Sequence, residues 1–398
     1  MKLTPGLTDK ENLYKTIYVD TSGLNYDNPE VLEKIEHSLL EAYQKLHEQD
    51  IKGPCLSKVH IGEPKCRTAM LPRFIRPGIK FAEKKGANQN FCGDTTVAYT
   101  GKRGYSENPH NDPSAYMELA KSRGWMQSGD TGVPFAVLDR PVTSSGKGFE
   151  FKKEEGLVKG QAGNYKDFFA AGGFLKAGFI QNHAHLTLHG LAGVAASVKS
   201  IAMGCTSLRG KLRMHQHYMP VFNPEKCTRC GKCIKECPVE ALSLPDRGVP
   251  SLRKKICIGC GECEAVCPSR AVTLNAGEIT DWGKGMDTLS RRMADYAIGL
   301  IDGRWDSIIN TVHIYTVTER CDCLNTVQKP MITDNPGFVI SKNPFYADSL
   351  AAEFLKKRLP SEAASANSYL TGTAKSAEEY VKEGYGILSP ENYEVIKI

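Results

Sequence analysis

Two short cysteine runs constrain this chain more than any other feature. Residues 226–242 read KCTRCGKCIKECPVEAL, and residues 256–272 read ICIGCGECEAVCPSRAV. Both follow C-x2-C-x2-C-x3-C-P: Cys227, Cys230, Cys233 and Cys237 before Pro238, then Cys257, Cys260, Cys263 and Cys267 before Pro268. Three thiolates at i, i+3 and i+6 on a tight loop can wrap three corners of a metal cluster, and the fourth corner needs a more distant cysteine. The repeat continues past these residues at a constant offset, Ala241 matching Ala271 and Leu244 matching Leu274, so one half-motif has been doubled. Gly231 and Gly261 sit between cysteines, where a loop wrapped on a cluster needs positive φ or close backbone approach. Pro238 and Pro268 are expected to open short helical turns, PVEAL and PSRAV.

The spacing is that of bacterial two-cluster ferredoxins, in which the fourth Cys of each run ligates the other cluster. It assigns Cys227, Cys230, Cys233 and Cys267 to one [4Fe–4S] cluster, and Cys257, Cys260, Cys263 and Cys237 to a second. Zinc also takes four thiolates, usually from two separated C-x2-C pairs, and fits less well. With every corner filled by cysteine there is no open iron for Lewis-acid chemistry, and electron transfer is the expected task. Residues 221–277 carry nine Lys or Arg against six Asp or Glu. Lys226, Arg229, Lys232 and Lys254 should raise the cluster potentials relative to an acidic ferredoxin, or dock an acidic redox partner protein.

Fourteen cysteines among 398 residues point to metal or redox chemistry rather than disulfides if the chain stays in the cytosol. That location is expected, because MKLTPGLTDKENLYK is charged from its second residue and lacks the apolar run of a secretory signal. The most apolar stretch, GLAGVAASVKSIAMG from Gly190, carries Lys199 and is shorter than the roughly 20 residues of a membrane span. The formal charge of +6 is not gathered in one run, which argues against nucleic-acid binding.

On either side of the cysteine runs the chain alternates helix-like and strand-like stretches. PEVLEKIEHSLLEAYQKL from Pro29 has helical apolar spacing, and LSKVHIGEP from Leu56 reads as a strand ending at Gly62. RPGIKFAEKKGA, PSAYMELAKSRGW, RRMADYAIGLI and YADSLAAEFLKKRL read as helices. NQNFCGDTTVAY, PFAVLDR, SIINTVHIYTVT and PGFVISKNP read as strands. The fold class is α/β: a discontinuous α/β domain over 1–220 and 278–398, with a two-cluster ferredoxin-like module inserted at 221–277.

Several stretches together resemble the iron-sulfur proteins of the domain of unknown function 362 family. They are KVHIGEP (Lys58 to Pro64), GDTTVAYTGKRG (Gly93 to Gly104), NHAHLTLHGLAGVAASVKSIAMGC (Asn182 to Cys205), RGKLRMH (Arg209 to His215), the double cysteine run, CDC (Cys321 to Cys323) and ISKNPFYADSLAAEF (Ile340 to Phe354). The chain departs from the family pattern at Ser200, where Asn is usual, and at Asn343, where Asp is usual. The resemblance implies a shared fold and the clusters, with no agreed activity.

Three groups outside the cysteine runs are candidate sites. Asp94, Thr95 and Thr96 follow a strand, where open α/β sheets place binding residues, and Lys102 and Arg103 follow closely, suited to a phosphate or carboxylate; the alternative is a polar loop capped by its own side chains. In NHAHLTLHG, His183 and His185 would share one face of a strand, with His189 at a helix start and Thr187 as its cap. The free N–H groups of that helix would attract an anion, three His this close could bind a metal, and a self-satisfied polar turn is the remaining reading. Lys199 and Arg209 would add positive charge. Cys321 and Cys323 would point the same way across Asp322, forming a third metal site with Cys205 or His215, a thiol pair that exchanges electrons, or buried structural cysteines. Cys55, Cys66 and Cys92 read as structural.

The function expected from the residues is passage of single electrons through two [4Fe–4S] clusters to a redox partner. The alternative is an iron-sulfur oxidoreductase whose clusters reduce an anionic small molecule or second cofactor held by Lys58, Asp94, Arg103, His183 and His185. A third is an assembly or activation protein that hands electrons or metal to a client enzyme. No G-x-G-x-x-G loop follows a strand, so dinucleotide binding is not expected.

Overall fold

The computed structural model describes residues 15–97, 102–103, 113–143, 150–163, 165–189, 193–215, 219–235, 237, 240–254, 257, 263, 267–269, 271–275, 282–318, 321–323, 325, 327–332, 334–359 and 393–398. Strand β1 (Thr16–Asp20) leads into α1 (Pro29–Leu46). That helix starts because Asn28 accepts the Glu30 N–H and Pro29 sits in the first turn, where its missing N–H costs nothing. Its buried residues, Leu32, Ile35, Leu39, Ala42, Tyr43 and Leu46, follow the helical period and cover the sheet.

Next come β2 (Pro54–Lys58), α2 (Arg76–Lys84), β3 (Gln89–Asp94), α3 (Ser114–Ser122), β4 (Phe135–Val137) and β5 (Val142–Thr143). A hairpin of β6 (Glu155–Ala162) and β7 (Tyr165–Ala171) precedes β8 (Phe179–His185), which is followed by the pair β9 (Thr187–His189) and β10 (Gly193–Ala195). Helices α4 (Ser197–Gly204) and α5 (Leu208–His215) lead to β11 (Met219–Phe222). Beyond β12 (Leu242–Ser243), β13 (Ser251–Leu252) and β14 (Val272–Asn275) the chain forms α6 (Trp282–Ile301), β15 (Ile308–Ile314), β16 (Gly337–Ser341), α7 (Pro344–Lys356) and β17 (Glu394–Lys397). The helix and strand stretches read from sequence on either side of the cysteine runs appear with shifted bounds: α1 matches its stretch, α6 and α7 start earlier than theirs, and β2 ends at Lys58 rather than Gly62.

Nine strands form one sheet in the order β17-β1-β16-β15-β8-β2-β3-β4-β5. The block from β15 to β4 is parallel; β16 is antiparallel to both β1 and β15, and β5 is antiparallel to β4. Every residue of β8 and β15 is buried, as expected for parallel strands covered on both faces. On one face Leu56, Ile180 and Ile308 pack with α6; on the other Cys55, Phe179 and Ile309 pack with α1 and α2. Between β8 and β15, Asn182 sits opposite Asn310, its Nδ2 donating to Asn310 Oδ1 at 2.9 Å.

The sheet draws strands from both sides of residues 221–277. The described part of that interval forms two short antiparallel pairs, β11 with β14 and β12 with β13, around a small core of Cys233, Leu242, Cys263 and Val272. Of the expected helical turns, residues 238, 239 and 270 lie outside the described residues, while Leu242 and Val272 lie in strands. Asn343 caps α7, its side-chain oxygen accepting from the N–H groups of Phe345 (3.0 Å) and Tyr346 (3.3 Å). Asn caps as well as the usual Asp at such a position. Among the described residues no helix is long and apolar enough to cross a membrane.

Candidate functional site

The chain runs from β2 outward to β3 and β4, then returns to lay β8 on the opposite side of β2, with β15 beyond it. Strand order therefore reverses between β2 and β8, where open α/β sheets form a crevice at the carboxyl ends of their strands. Lys58, Asp94 and His185 are the last residues of β2, β3 and β8. A cavity of about 100 Å³ opens there, lined by these three side chains and by Arg103, Lys199, Lys211, Cys321 and Cys323.

One wall is a buried charge network. Asp94 Oδ1 meets Lys58 Nζ at 3.1 Å and accepts the Thr95 N–H at 2.8 Å, while Oδ2 takes Arg103 Nη1 at 2.8 Å. Arg103 Nε donates to Glu63 at 3.1 Å, and its guanidinium lies over the Tyr116 ring. Burial alone would raise the Asp94 carboxyl, but Lys58 and Arg103 overcome it and hold the group well below the usual range. With both oxygens engaged, Asp94 is a fixed anion rather than a proton acceptor. Deeper in, Asp139 accepts from Thr96 N (2.8 Å) and Thr96 Oγ1 (2.6 Å), with Lys211 Nζ at 3.7 Å. Burial pushes the Lys211 ammonium down to about 8.

His185 faces two oxygens, Asp322 Oδ2 from Nδ1 at 2.6 Å and the Tyr315 carbonyl from Nε2 at 2.6 Å. Both ring nitrogens must donate, so the ring is an imidazolium. Burial opposes that charge, but Asp322 outweighs it and raises the pKa. His185 therefore has no lone pair for a metal or a proton. His183 does not line the cavity: its Nδ1 pairs with His313 Nε2 at 3.2 Å inside the core, and burial lowers its pKa to about 3. The expected helix start at His189 is absent. Thr187 and His189 belong to β9, and the first helix beyond them, α4, begins at Ser197. Its Ser197 and Val198 N–H groups are held by the Asp348 carboxylate at 2.7 and 2.9 Å, which closes the expected anion site with the chain's own side chain.

The opposite wall is the turn Cys321-Asp322-Cys323. Asp322 points inward to His185 and accepts from Cys66 Sγ at 3.2 Å. Both flanking cysteines line the cavity. Cys321 Sγ accepts from Lys199 Nζ at 2.9 Å and from the Cys323 N–H at 3.3 Å. The neighbouring Cys323 and the Lys199 ammonium lower the Cys321 pKa to about 6 against the cost of burial. Cys205 is not brought to this pair; it packs in the core under α6, its Sγ directed at the Ser200 carbonyl.

In the cysteine module the doubled sequence has a doubled hydrogen-bond pattern. Ala241 N donates to Cys237 Sγ (3.1 Å) as Ala271 N does to Cys267 Sγ (3.2 Å). Arg253 N donates to the Ala241 carbonyl as Asn223 N does to that of Ala271, and Cys227 N donates to the Asn223 carbonyl as Cys257 N does to that of Arg253. Gly231 has φ +73°, the open conformation expected of it. Cys233, Cys237, Cys263 and Cys267 share one small core, while Cys260 and Gly261 lie outside the described residues. Among the described residues no three His, Cys, Asp or Glu side chains converge as they would around a single metal ion.

Sequence reasoning missed Asp322, Cys66, Glu63, His60, Asp139 and Lys211. Asp322, Glu63, His60 and Lys211 lay within stretches already singled out, CDC, KVHIGEP and RGKLRMH, while Cys66 had been read as structural and Asp139 carried no motif. Searches of curated proteins and of solved structures gave no match. A family model described as a domain of unknown function, DUF362, matches residues 56–353, most of the chain, and the chain belongs to that family.

Proposed function

We propose that this protein is a cytoplasmic iron-sulfur electron carrier, with two [4Fe–4S] clusters held by Cys227, Cys230, Cys233 and Cys267 and by Cys257, Cys260, Cys263 and Cys237. The supporting observation is the doubled C-x2-C-x2-C-x3-C-P run together with its repeated backbone pattern. The amide donors on Cys237 and Cys267 suit the reading, because N–H···S bonds spread sulfur charge and raise cluster potentials. Such clusters, when bound, take up and release one electron each. The protein's own contribution is to hold the thiolates in register, cover them with Leu242 and Val272, and surround them with Lys and Arg that would dock an acidic redox partner. Protein purified without oxygen should carry about eight irons per chain and give an EPR signal after dithionite. Zinc in place of iron, or fewer than about two irons, overturns the reading.

A second reading, reduction of an anionic small molecule in the cavity, is favoured by the Lys199 and Lys211 ammonium groups on its wall and by Ser200 Oγ, which is buried without a hydrogen-bond partner. Lys58 and Arg103 act behind them, held on Asp94 and Glu63. Lys199→Met should weaken binding of a small dicarboxylate at least about tenfold, the worth of one charge-assisted hydrogen bond. Unchanged binding removes this reading and leaves the carrier.

A further inference from the structure

We propose that Cys321 and Cys323 form a redox dithiol, with Cys321 as the attacking thiolate and Cys323 as the resolving thiol, that reduces low-molecular-weight anionic disulfides entering the cavity. Two donors converge on Cys321 Sγ: the Lys199 ammonium at 2.9 Å and the Cys323 amide at 3.3 Å. An ammonium and an amide donor on one sulfur are the surroundings that stabilise a thiolate over a thiol. The Cys321 sulfur beside it and burial push the Cys323 thiol well up, so Cys323 carries the proton. Both residues line the cavity, so the nucleophile is reachable and its resolving partner shares the same wall, its own amide on the Cys321 sulfur.

The turn is held from beneath. Asp322 is pinned by the His185 imidazolium and by Cys66, which fixes the two flanking residues on the cavity side. Residues two apart in a turn bring their Cα atoms within the span a disulfide can bridge. The pair is also remote in role from the cysteine module, since neither residue belongs to the doubled run.

The chemistry balances without another cofactor. Cys321 thiolate attacks one sulfur of the small disulfide, forming a mixed disulfide and releasing one thiolate. Cys323 then attacks Cys321 Sγ, its proton passing to the departing thiolate, and the second half leaves. The Cys321–Cys323 pair has lost two electrons, and the small disulfide has become one thiolate and one thiol. Reversal by a thiol reductant restores the pair. Once Cys321 sulfur is in the mixed disulfide it no longer carries charge, and Lys199 then faces the carboxylate of the bound half. That step selects an anionic substrate.

The test uses the full chain, reduced, treated with dithiodiglycolate, quenched in acid and mapped by peptide mass spectrometry. The expected product is an internal Cys321–Cys323 disulfide. Cys323→Ser should accumulate the mixed disulfide on Cys321, and Cys321→Ser should react at Cys323 at least about tenfold more slowly. Lys199→Met should slow capture at Cys321 about tenfold while Lys199→Arg keeps most of it, and cationic cystamine should react more slowly than dithiodiglycolate. A mixed disulfide at Cys323 in the unmutated chain, or no internal disulfide in a chain whose circular dichroism is unchanged, overturns the proposal. So does loss of bound metal from Cys321→Ser or Cys323→Ser. Iron counts on the same samples keep the carrier reading separate, because failure of iron to bind at the doubled run leaves the dithiol assay unaffected.

Discussion

Replacing Asp322 with Asn tests the buried ion pair beneath the cavity. Its side chain and that of His185 are 4% and 1% exposed, with 2.6 Å between Oδ2 and Nδ1. Charge centres about 4 Å apart attract by about 4 kcal/mol at an effective dielectric near 20. Removing one partner of such a buried pair typically costs about 3–5 kcal/mol. His185 has an escape: it can lose its proton, donate from Nε2 to Tyr315 and accept at Nδ1 from the new amide.

The cost therefore depends on pH, and its sign follows from the two shifts. The folded pKa of His185 is raised, so its contribution is full below the ordinary His value near 6.5 and is lost as pH rises through the folded value. Asp322 is lowered, so its contribution is present above the ordinary Asp value near 3.9 and is lost as pH falls through the folded value. Both act together between about pH 4 and 6.5. Asp322→Asn should cost about 3–5 kcal/mol at pH 5.5, and less above the folded His185 value, nearing the about 1 kcal/mol of an exchanged neutral hydrogen bond. Urea unfolding followed by tryptophan fluorescence at pH 5.5 and pH 9 measures both. A loss that is below about 1 kcal/mol at pH 5.5, or that grows with pH, would refute the imidazolium assignment.

Three further outcomes are expected. Cys233→Ser should lower bound iron by about half, four of about eight atoms, and Cys267→Ser should affect the same cluster by EPR; loss confined to the other cluster would break the crossed ligand assignment. Gly204→Ala places a methyl 2.4 Å from Lys58 Cε and 2.5 Å from its Nζ, and Lys58 is locked on Asp94, so thermal unfolding should show a loss of about 1–3 kcal/mol. Asp348→Ala exposes two N–H groups at the start of α4 and should cost about 0.5–2 kcal/mol; a neutral result would mean that water replaces the cap.

The strands and helices were legible because their apolar periods are local, Asp94 because it closes a strand, and Lys58 through the stretch KVHIGEP, although its strand was expected to run on to Gly62. The partners were not. Asp322 reaches His185 across 137 residues, and Asp348 reaches Ser197 across 151; no local spacing encodes either meeting. The expected helix near His189 failed for a related reason: Thr187 looked like a cap, but β9 pairs with β10 instead, and the capping carboxylate came from another helix. His183 and His185 looked equivalent at a separation of two. Their partners set them apart: His183 lies opposite Thr311 and pairs with His313 in the core, whereas His185, opposite His313, takes the Asp322 carboxylate.

The asparagine pair between β8 and β15 has a consequence for how the sheet finds its alignment. Every residue of both strands is buried, so a slip along their length moves apolar side chains from one buried place to another, and hydrophobicity is nearly blind to it. Asn182 and Asn310 are not blind: displaced by even one position, each would leave an amide stranded in the interior, at about 1–3 kcal/mol per group. Two short polar side chains thus act as an index mark, setting which end residues of the two strands arrive together at the cavity. Changing both to leucine should preserve the sheet while loosening that alignment, and the geometry around His185 and the cysteine turn would be the first to drift.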